Sequence, residues 1–214
     1  MEAIDVIKVK YIREMLDNEK REDGRGLSDF RSIHILNNLV DSAEGSAQVD
    51  LGSTRVLAGV KLEVDTPMED TPNEGNLVVS SELLPLASAD YEPGPPSPEA
   101  IELARVVDRG IRAGSCVDTA DLFLEEGKAW YVYADIYVLN YDGNLLDAST
   151  LAVMSALMHT RVPKYEDGKV IREEAAKKLK IDNIVTSATF GKIGGKLLLD
   201  TTKNEENAME ARLT

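Results

Sequence analysis

Apolar and polar positions recur along the chain with two periods, and the switches between them outline the elements. In residues 4–16, Ile4, Ile7, Tyr11 and Met15 repeat at helical spacing with Lys8, Lys10 and Arg13 between them, which predicts an amphipathic helix packed by that face. Residues 46–51 and 55–64 read as strands separated by Gly52-Ser53-Thr54, the pattern of a β-hairpin with a short glycine-containing loop. A third strand is predicted over 76–83, after the turn-rich stretch 66–75. Residues 92–98 hold Pro93, Gly94, Pro95, Pro96 and Pro98, which suits no helix interior or central strand and predicts an ordered loop. That loop ends in Ser97-Pro98-Glu99, where Ser97 suits an N-cap, Pro98 the first helical position and Glu99 the positive end of the helix dipole. A helix should run from there to about Gly114, burying Ala100, Leu103, Ala104, Val107 and Ile111.

Strict alternation resumes over residues 128–140, where Trp130, Val132, Ala134, Ile136 and Val138 take one face and Tyr131, Tyr133, Asp135 and Tyr137 the other. This reads as the start of a second sheet. After the turn Asp142-Gly143-Asn144, residues 147–159 are apolar nearly all round, which predicts a buried helix. A charged excursion over 164–180 follows. Strands are then expected near 184–190 and 196–200, joined through Gly194-Gly195, and Thr202 with Glu205 has the spacing of a capping box that starts a last short helix. The order of elements argues an α+β or mixed α/β arrangement without the regular alternation of a doubly wound sheet.

Composition narrows the classes. The 214 residues, 43% of them hydrophobic, match one large domain or two small fused ones. With 24 Lys and Arg against 38 Asp and Glu, the net charge of −14 excludes a broadly basic nucleic-acid surface, so any RNA or DNA contact must be local. The single Cys116 excludes an internal disulfide and fits a reducing compartment. The apolar runs are too short for a bilayer, and residues 1–10 lack the apolar core of a signal peptide. The expectation is a soluble, cytoplasmic protein with no membrane partner. His34, Cys116 and His159 are too widely spaced for a zinc site and read as packing or surface residues, so no metal and no cofactor is expected.

Three groups could carry chemistry. Arg105, Arg109 and Arg112 form a stripe on the polar face of the helix after Ser97, spaced to track phosphates. The same residues could be a solvated face, because Glu102–Arg105 and Asp108–Arg112 also sit at pairing distance. The turn at Asp142 could be an anion seat, but Leu145 and Leu146 offer no donors and Asp147 brings the wrong charge, so a hairpin-like connection is preferred. Asp200, Glu205 and Glu206 could bind a cation or move protons, and a capping box with dipole-favourable acids explains Glu205 and Glu206 equally well. The string GKIGGK at 191–196 lacks the spacing of a phosphate loop and reads as a tight turn.

Five segments together resemble one known family, the RNase PH fold, whose members degrade RNA from its 3′ end with phosphate as nucleophile. They are REDGRGLSDFR at 21–31, GSAQVDLGSTRVLAGVK at 45–61, ELARVVDRGIR at 102–112, YVLNYDGNLLDASTLAVMSAL at 137–157 and FGKIGGKLLLDTTKNEEN at 190–207. Within the family the wording resembles the non-catalytic ring subunit of the archaeal exosome rather than the bacterial enzyme or the catalytic exosome subunit. The resemblance implies a single RNase PH-like domain over 1–214 that lacks the family's final strand and C-terminal helix.

Departures from the active pattern carry the functional expectation. Active members have Asp-Gly-Gly-Thr-Arg-Thr-Ala, or a near variant, before the central helix. Aligned on Asp142 and Ala148, Leu145 replaces the Thr or Ser, Leu146 the Arg and Asp147 the next Thr. Loss of one transition-state donor costs about 10²–10³ in rate, and here a cation is also lost. The family's acids, six residues apart, correspond to Asp200 and Glu206, one retained and one lengthened by a methylene. The resemblance therefore implies no independent phosphorolysis, with Leu145, Leu146 and Asp147 a degenerate phosphate site and Asp200 and Glu206 a degenerate acidic one. It makes Arg105 and Arg109 contacts to single-stranded RNA, with Arg112 a third. It implies a catalytic RNase PH-like partner in a hexameric ring, a trimer of heterodimers under a cap of RNA-binding proteins, with the aromatic face of strand 128–140 one candidate contributor to an interface. The alternative is a self-sufficient phosphate-dependent 3′ exoribonuclease using Asp200.

Overall fold

The computed structural model describes the backbone of residues 3–214 and the side chains of residues 7–172 and 177–214. In chain order the elements are α1 (Ala3–Asp17), β1 (Ile33–Asn37), β2 (Gly45–Leu51), β3 (Thr54–Asp65), β4 (Asn76–Leu83), α2 (Pro98–Ala113) and a short 3-10 turn (Thr119–Leu122). They continue with β5 (Phe123–Glu125), β6 (Lys128–Asn140), α3 (Leu145–His159), β7 (Arg161–Glu166), β8 (Lys169–Lys178), β9 (Phe190–Ile193), β10 (Lys196–Leu199), α4 (Lys203–Ala208) and β11 (Ala211–Leu213).

The expected hairpin forms between β2 and β3, closed by Gly52 at φ +56 and Ser53, with Leu51 opposite Thr54. β6 does not open a second sheet. It lies inside the first, antiparallel to β3 and parallel to β4, in the order β1-β2-β3-β6-β4 with β5 paired to β6. Alternation says which residues share a face and nothing about which strand lies alongside. A parallel neighbour needs a crossover connection, and α2 lies in the segment that links β4 to β6.

The inward residues Val56, Ala58, Val60 and Leu62 of β3 and Val132, Ala134, Ile136 and Val138 of β6 are fully buried beneath the helices. α3 packs on β2 and β3, α2 packs on β4, and the two helices touch. Each large aliphatic side chain sealed there contributes about 1.5–3 kcal/mol. α3 is buried on nearly every side, as its all-round apolar sequence requires. Its last turn presses on the start of β2: a Cβ on Gly45 would meet Thr160 Oγ1 at 2.3 Å and the Ala156 carbonyl at 2.5 Å. Tyr131, Tyr133, Asp135 and Tyr137 take the other face of β6 and are half-buried.

A smaller core joins α1 and α4 to β9 and β10 through Ile12, Leu16, Ile193, Leu198 and Ala208. The inward face of α1 differs from the expected one. Ile7 is 69% and Tyr11 50% exposed, and Met15 is half-buried, while Ile12 and Leu16 are buried with Val9 packed against them. Ile4 lies outside the described side chains. Two sets at helical spacing coexist in this segment, and the apolar ends of β9, β10 and α4 select the second. The charged excursion forms the hairpin β7–β8, turned at Asp167 and Gly168, both at positive φ. The strand expected from residue 184 begins only at Phe190, because Thr189 is spent on side-chain contacts instead of a ladder. Thr202 and Glu205 make the capping box of α4, and β10-β9-β11 complete a small antiparallel sheet.

Candidate functional site

The turn Asp142-Gly143-Asn144 is the capped start of α3, not a hairpin-like connection. Asn144 is the N-cap, in the left-handed region at φ +53, a conformation that Asn tolerates better than most residues. Gly143, at φ +83, lies against the chain at Thr201–Lys203, where a Cβ would come within 2.4 Å of the Thr201 carbonyl. The close approach brings the loop between β10 and α4 onto the start of α3, and with it Asp200 and Glu206.

Asp200 is fully buried and held by donors on all sides. Its carboxylate accepts from Arg31 N (2.8 Å), Arg31 Nε (2.9 Å), Arg31 Nη2 (2.8 Å), Arg25 Nη1 (3.0 Å) and Asn144 Nδ2 (2.7 Å). Burial works against its charge, but the hydrogen bonds from Arg31 and Asn144 prevail and hold the carboxyl below its ordinary range. Arg21 braces the same loop. Buried beside Glu205, it donates Nε to Oε1 at 2.9 Å and Nη2 to Oε2 at 2.7 Å, and also bonds the Leu199 and Asp200 carbonyls. Sequence reasoning assigned no role to Arg21, Arg25, Arg31 or Asn144. The available signals were three arginines in a loop with no helical period and an Asp-Gly-Asn turn ahead of an apolar run.

Glu206 occupies the start of α3. Its Oε1 accepts the Asn144 backbone N–H at 2.8 Å and its Oε2 the Tyr141 hydroxyl at 2.6 Å. Burial raises its carboxyl above the ordinary range, and burial beside it likewise raises the Tyr141 hydroxyl. Tyr91 stacks on Tyr141 with ring centroids 5.6 Å apart. A cavity of about 110 Å³ opens here, lined by Tyr91, Tyr141, Leu145, Leu146, Glu206 and Arg212 among others, with Glu99 and Glu102 at its wall. Asp147 is 1% exposed and accepts from Asn144 Nδ2 (2.8 Å), Ser187 Oγ (2.7 Å), Thr189 N (2.9 Å) and Thr189 Oγ1 (2.9 Å). The helix start thus receives two carboxylates of its own chain, and Leu145 and Leu146 bring aliphatic side chains where donors would be needed for an oxyanion.

The third candidate lies elsewhere, on α2. Ser97 Oγ accepts the Ala100 N–H at 3.2 Å, Pro98 is the first helical residue, and Ala100, Leu103, Val107 and Ile111 are buried as expected. Ala104 is only half-buried, at the edge of the polar face. Arg105, Arg109 and Arg112 are exposed along an open cleft of about 280 Å³ floored by Val78, Val79 and Ala104. Of the two pairings the spacing allows, Arg112 Nε does meet Asp108, at 2.9 and 3.0 Å, while Glu102 turns away from Arg105 to Arg212 Nη2 at 2.5 Å. Arg112 Nη2 also bonds Asn76 Oδ1 at 3.2 Å and the Leu77 carbonyl. Arg105 and Arg109 have no carboxylate partner among the described residues.

His34 is exposed, Cys116 is buried with its thiol raised by burial, and His159 Nδ1 lies 2.8 Å from the Ser155 carbonyl. Among the described residues no three His, Cys, Asp or Glu side chains converge as metal ligands, and no helix is long and apolar enough to cross a membrane.

Comparison with known proteins returns two family models, described as 3′ exoribonuclease family, domain 1, over residues 29–163, and domain 2, over residues 183–214. The chain is 45% identical over 216 residues to the exosome complex component Rrp42 of Saccharolobus islandicus, a match covering 99% of this chain and 78% of that protein. It is 44% identical over 214 residues to the Rrp42 component of Methanosarcina mazei, covering 100% and 79%. Among solved structures, a chain of the Archaeoglobus fulgidus exosome with RNA bound to the active site superposes with a TM-score of 0.92 at 44% identity, covering 99% of this chain and 82% of that one.

Proposed function

The chain belongs to the RNase PH family of 3′ exoribonucleases and carries its α+β fold, and from that premise we propose that it is a non-catalytic subunit of an archaeal exosome ring. In this reading it holds single-stranded RNA for a catalytic RNase PH-like partner and shapes that partner's active site, while doing no phosphorolysis alone. The partner, the trimer-of-heterodimers ring and the RNA-binding cap belong to the same proposal. The observation that carries it is the seat at the start of α3, where Glu206 accepts the Asn144 N–H and Asp147 is buried under Asn144, Ser187 and Thr189. Phosphate entering there would meet two carboxylates and two leucines. Asp200, with Arg25, Arg31 and Asn144 on its oxygens, acts as a brace between loop 21–31 and α3 and not as a proton donor.

RNA holding is assigned to Arg105 and Arg109, which line an open cleft and have no carboxylate partner among the described residues. An acidic chain with one basic stripe suits a soluble outer surface and a local RNA contact. The test is phosphorolysis of an oligoadenylate with inorganic phosphate, by this chain alone, by a catalytic RNase PH-like partner alone, and by the two mixed. The expected result is no nucleoside diphosphate from this chain and more from the mixture than from the partner. Phosphate-dependent release by the lone chain would overturn the proposal in favour of a self-sufficient exoribonuclease.

A further inference from the structure

We propose that Arg112 and Arg212 are positioning residues of the arginine stripe, each withdrawing a carboxylate that would otherwise neutralise Arg105. The inference rests on the RNA-holding role proposed for Arg105 and Arg109. Along α2, Glu102 lies three residues before Arg105 and Asp108 three residues after it, both at a spacing that brings side chains together on a helix. In an isolated helix, Arg105 would lie between two acids within reach.

The fold removes both. Arg212, carried in on β11, takes Glu102 with Nη2–Oε1 at 2.5 Å. Arg112 takes Asp108 through Nε at 2.9 and 3.0 Å, and is itself anchored to the edge of β4 by Nη2 on Asn76 Oδ1 at 3.2 Å and on the Leu77 carbonyl. An arginine already held by backbone and amide loses less side-chain freedom on pairing than a free one, so Asp108 pairs upward with Arg112 and not back with Arg105. Among the described residues Arg105 and Arg109 are left without an ion-pair partner, one turn apart over a floor of Val78, Val79 and Ala104, in a cleft whose one carboxylate, Asp108, is paired to Arg112. Two guanidiniums on an aliphatic floor fit a phosphodiester.

The test uses the full chain assembled with its catalytic partner and measures binding of a labelled oligoadenylate over a salt series. R112Q and R212Q should each weaken binding about three- to tenfold at low salt, the scale of one freed charge beside a phosphate. The double variants R112Q/D108N and R212Q/E102Q should return to the wild-type affinity and keep the wild-type salt slope. By contrast, R105A/R109A should weaken binding and lower the slope by about 0.7 for each phosphate no longer neutralised. Double variants that stay weak with a reduced slope would show that Arg112 or Arg212 touches RNA directly, which overturns the inference. Wild-type binding by R112Q and R212Q, with R105A/R109A impaired, overturns the inference and leaves the RNA-holding role standing. Wild-type binding by R105A/R109A refutes both. If R112Q fails to fold, the Arg212 cycle decides alone, since Arg212 is exposed on the short edge strand β11.

Discussion

Asn144→Ala is the substitution to which this architecture should be most sensitive for its size. The side chain caps α3, its Nδ2 bonds both Asp147 (2.8 Å) and Asp200 (2.7 Å), and its backbone sits at φ +53. Loss of an Asn cap costs about 1 kcal/mol, each hydrogen bond to a charged group about 1.5–3 kcal/mol, and a left-handed Ala about 1 kcal/mol. These do not add fully, because Asp200 keeps Arg25 and Arg31 and Asp147 keeps Ser187 and Thr189. The expected loss is about 3–5 kcal/mol, read as a lower urea midpoint, or as a fall in Tm of about 6–20 °C for a chain of this length. Asn144→Gly should be milder by about 1 kcal/mol, because only the left-handed strain is relieved. Asn144→Asp, a good cap on any ordinary helix, should be worse than Ala at pH 7 because it adds a third carboxylate between Asp147 and Asp200. An Ala variant within about 1 kcal/mol of wild type, or an Asp variant more stable than Ala at pH 7, would refute the reasoning.

Other perturbations follow from the same geometry. Glu206 holds its proton more tightly folded than unfolded, so its charge costs stability above the ordinary carboxylate range; Glu206→Gln should stabilise the chain at pH 7, and pH-dependent unfolding should show that gain vanish as pH falls through that range. Asp200 has the opposite sign: its carboxyl is lowered in the fold, so the stability it lends is present above its unfolded value near 3.8 and is lost as pH falls below that. Acid unfolding of Asp200→Asn should therefore start from a lower stability and show a shallower pH dependence than wild type. Gly45→Ala should destabilise by about 1–3 kcal/mol through overpacking against Ala156 and Thr160, measurable by urea denaturation, and a neutral result would mean that α3 can shift off β2.

Much of the local structure was legible in the sequence. The β2–β3 hairpin, the Ser97-Pro98-Glu99 start of α2, the apolar α3 and the capping box at Thr202 all depend on periods and caps that span a few residues. Spacing and residue type nominated Arg105, Arg109, Asp200 and Glu206, and resemblance supplied the family and the roles expected of them. What only the tertiary structure decided is which elements meet. β6 lies between β3 and a parallel β4 because the intervening α2 crosses over, a pairing to which alternation is blind. α1 buries Ile12 and Leu16 because the apolar ends of β9, β10 and α4 are there to receive them. Asp147, which from sequence only repels phosphate, is a clasp for Ser187 and Thr189, and Glu206 reaches back to Asn144. The pairing of Glu102 with Arg212 and of Asp108 with Arg112 is likewise invisible in the helix alone, whose spacing offers both acids to Arg105. It depends on β11, which carries Arg212, and on β4, to which Arg112 is bonded. Helical and strand periods are set by the backbone of each segment. Ion pairs between residues more than a hundred positions apart, such as Arg21–Glu205 and Arg212–Glu102, exist only once the whole chain has folded.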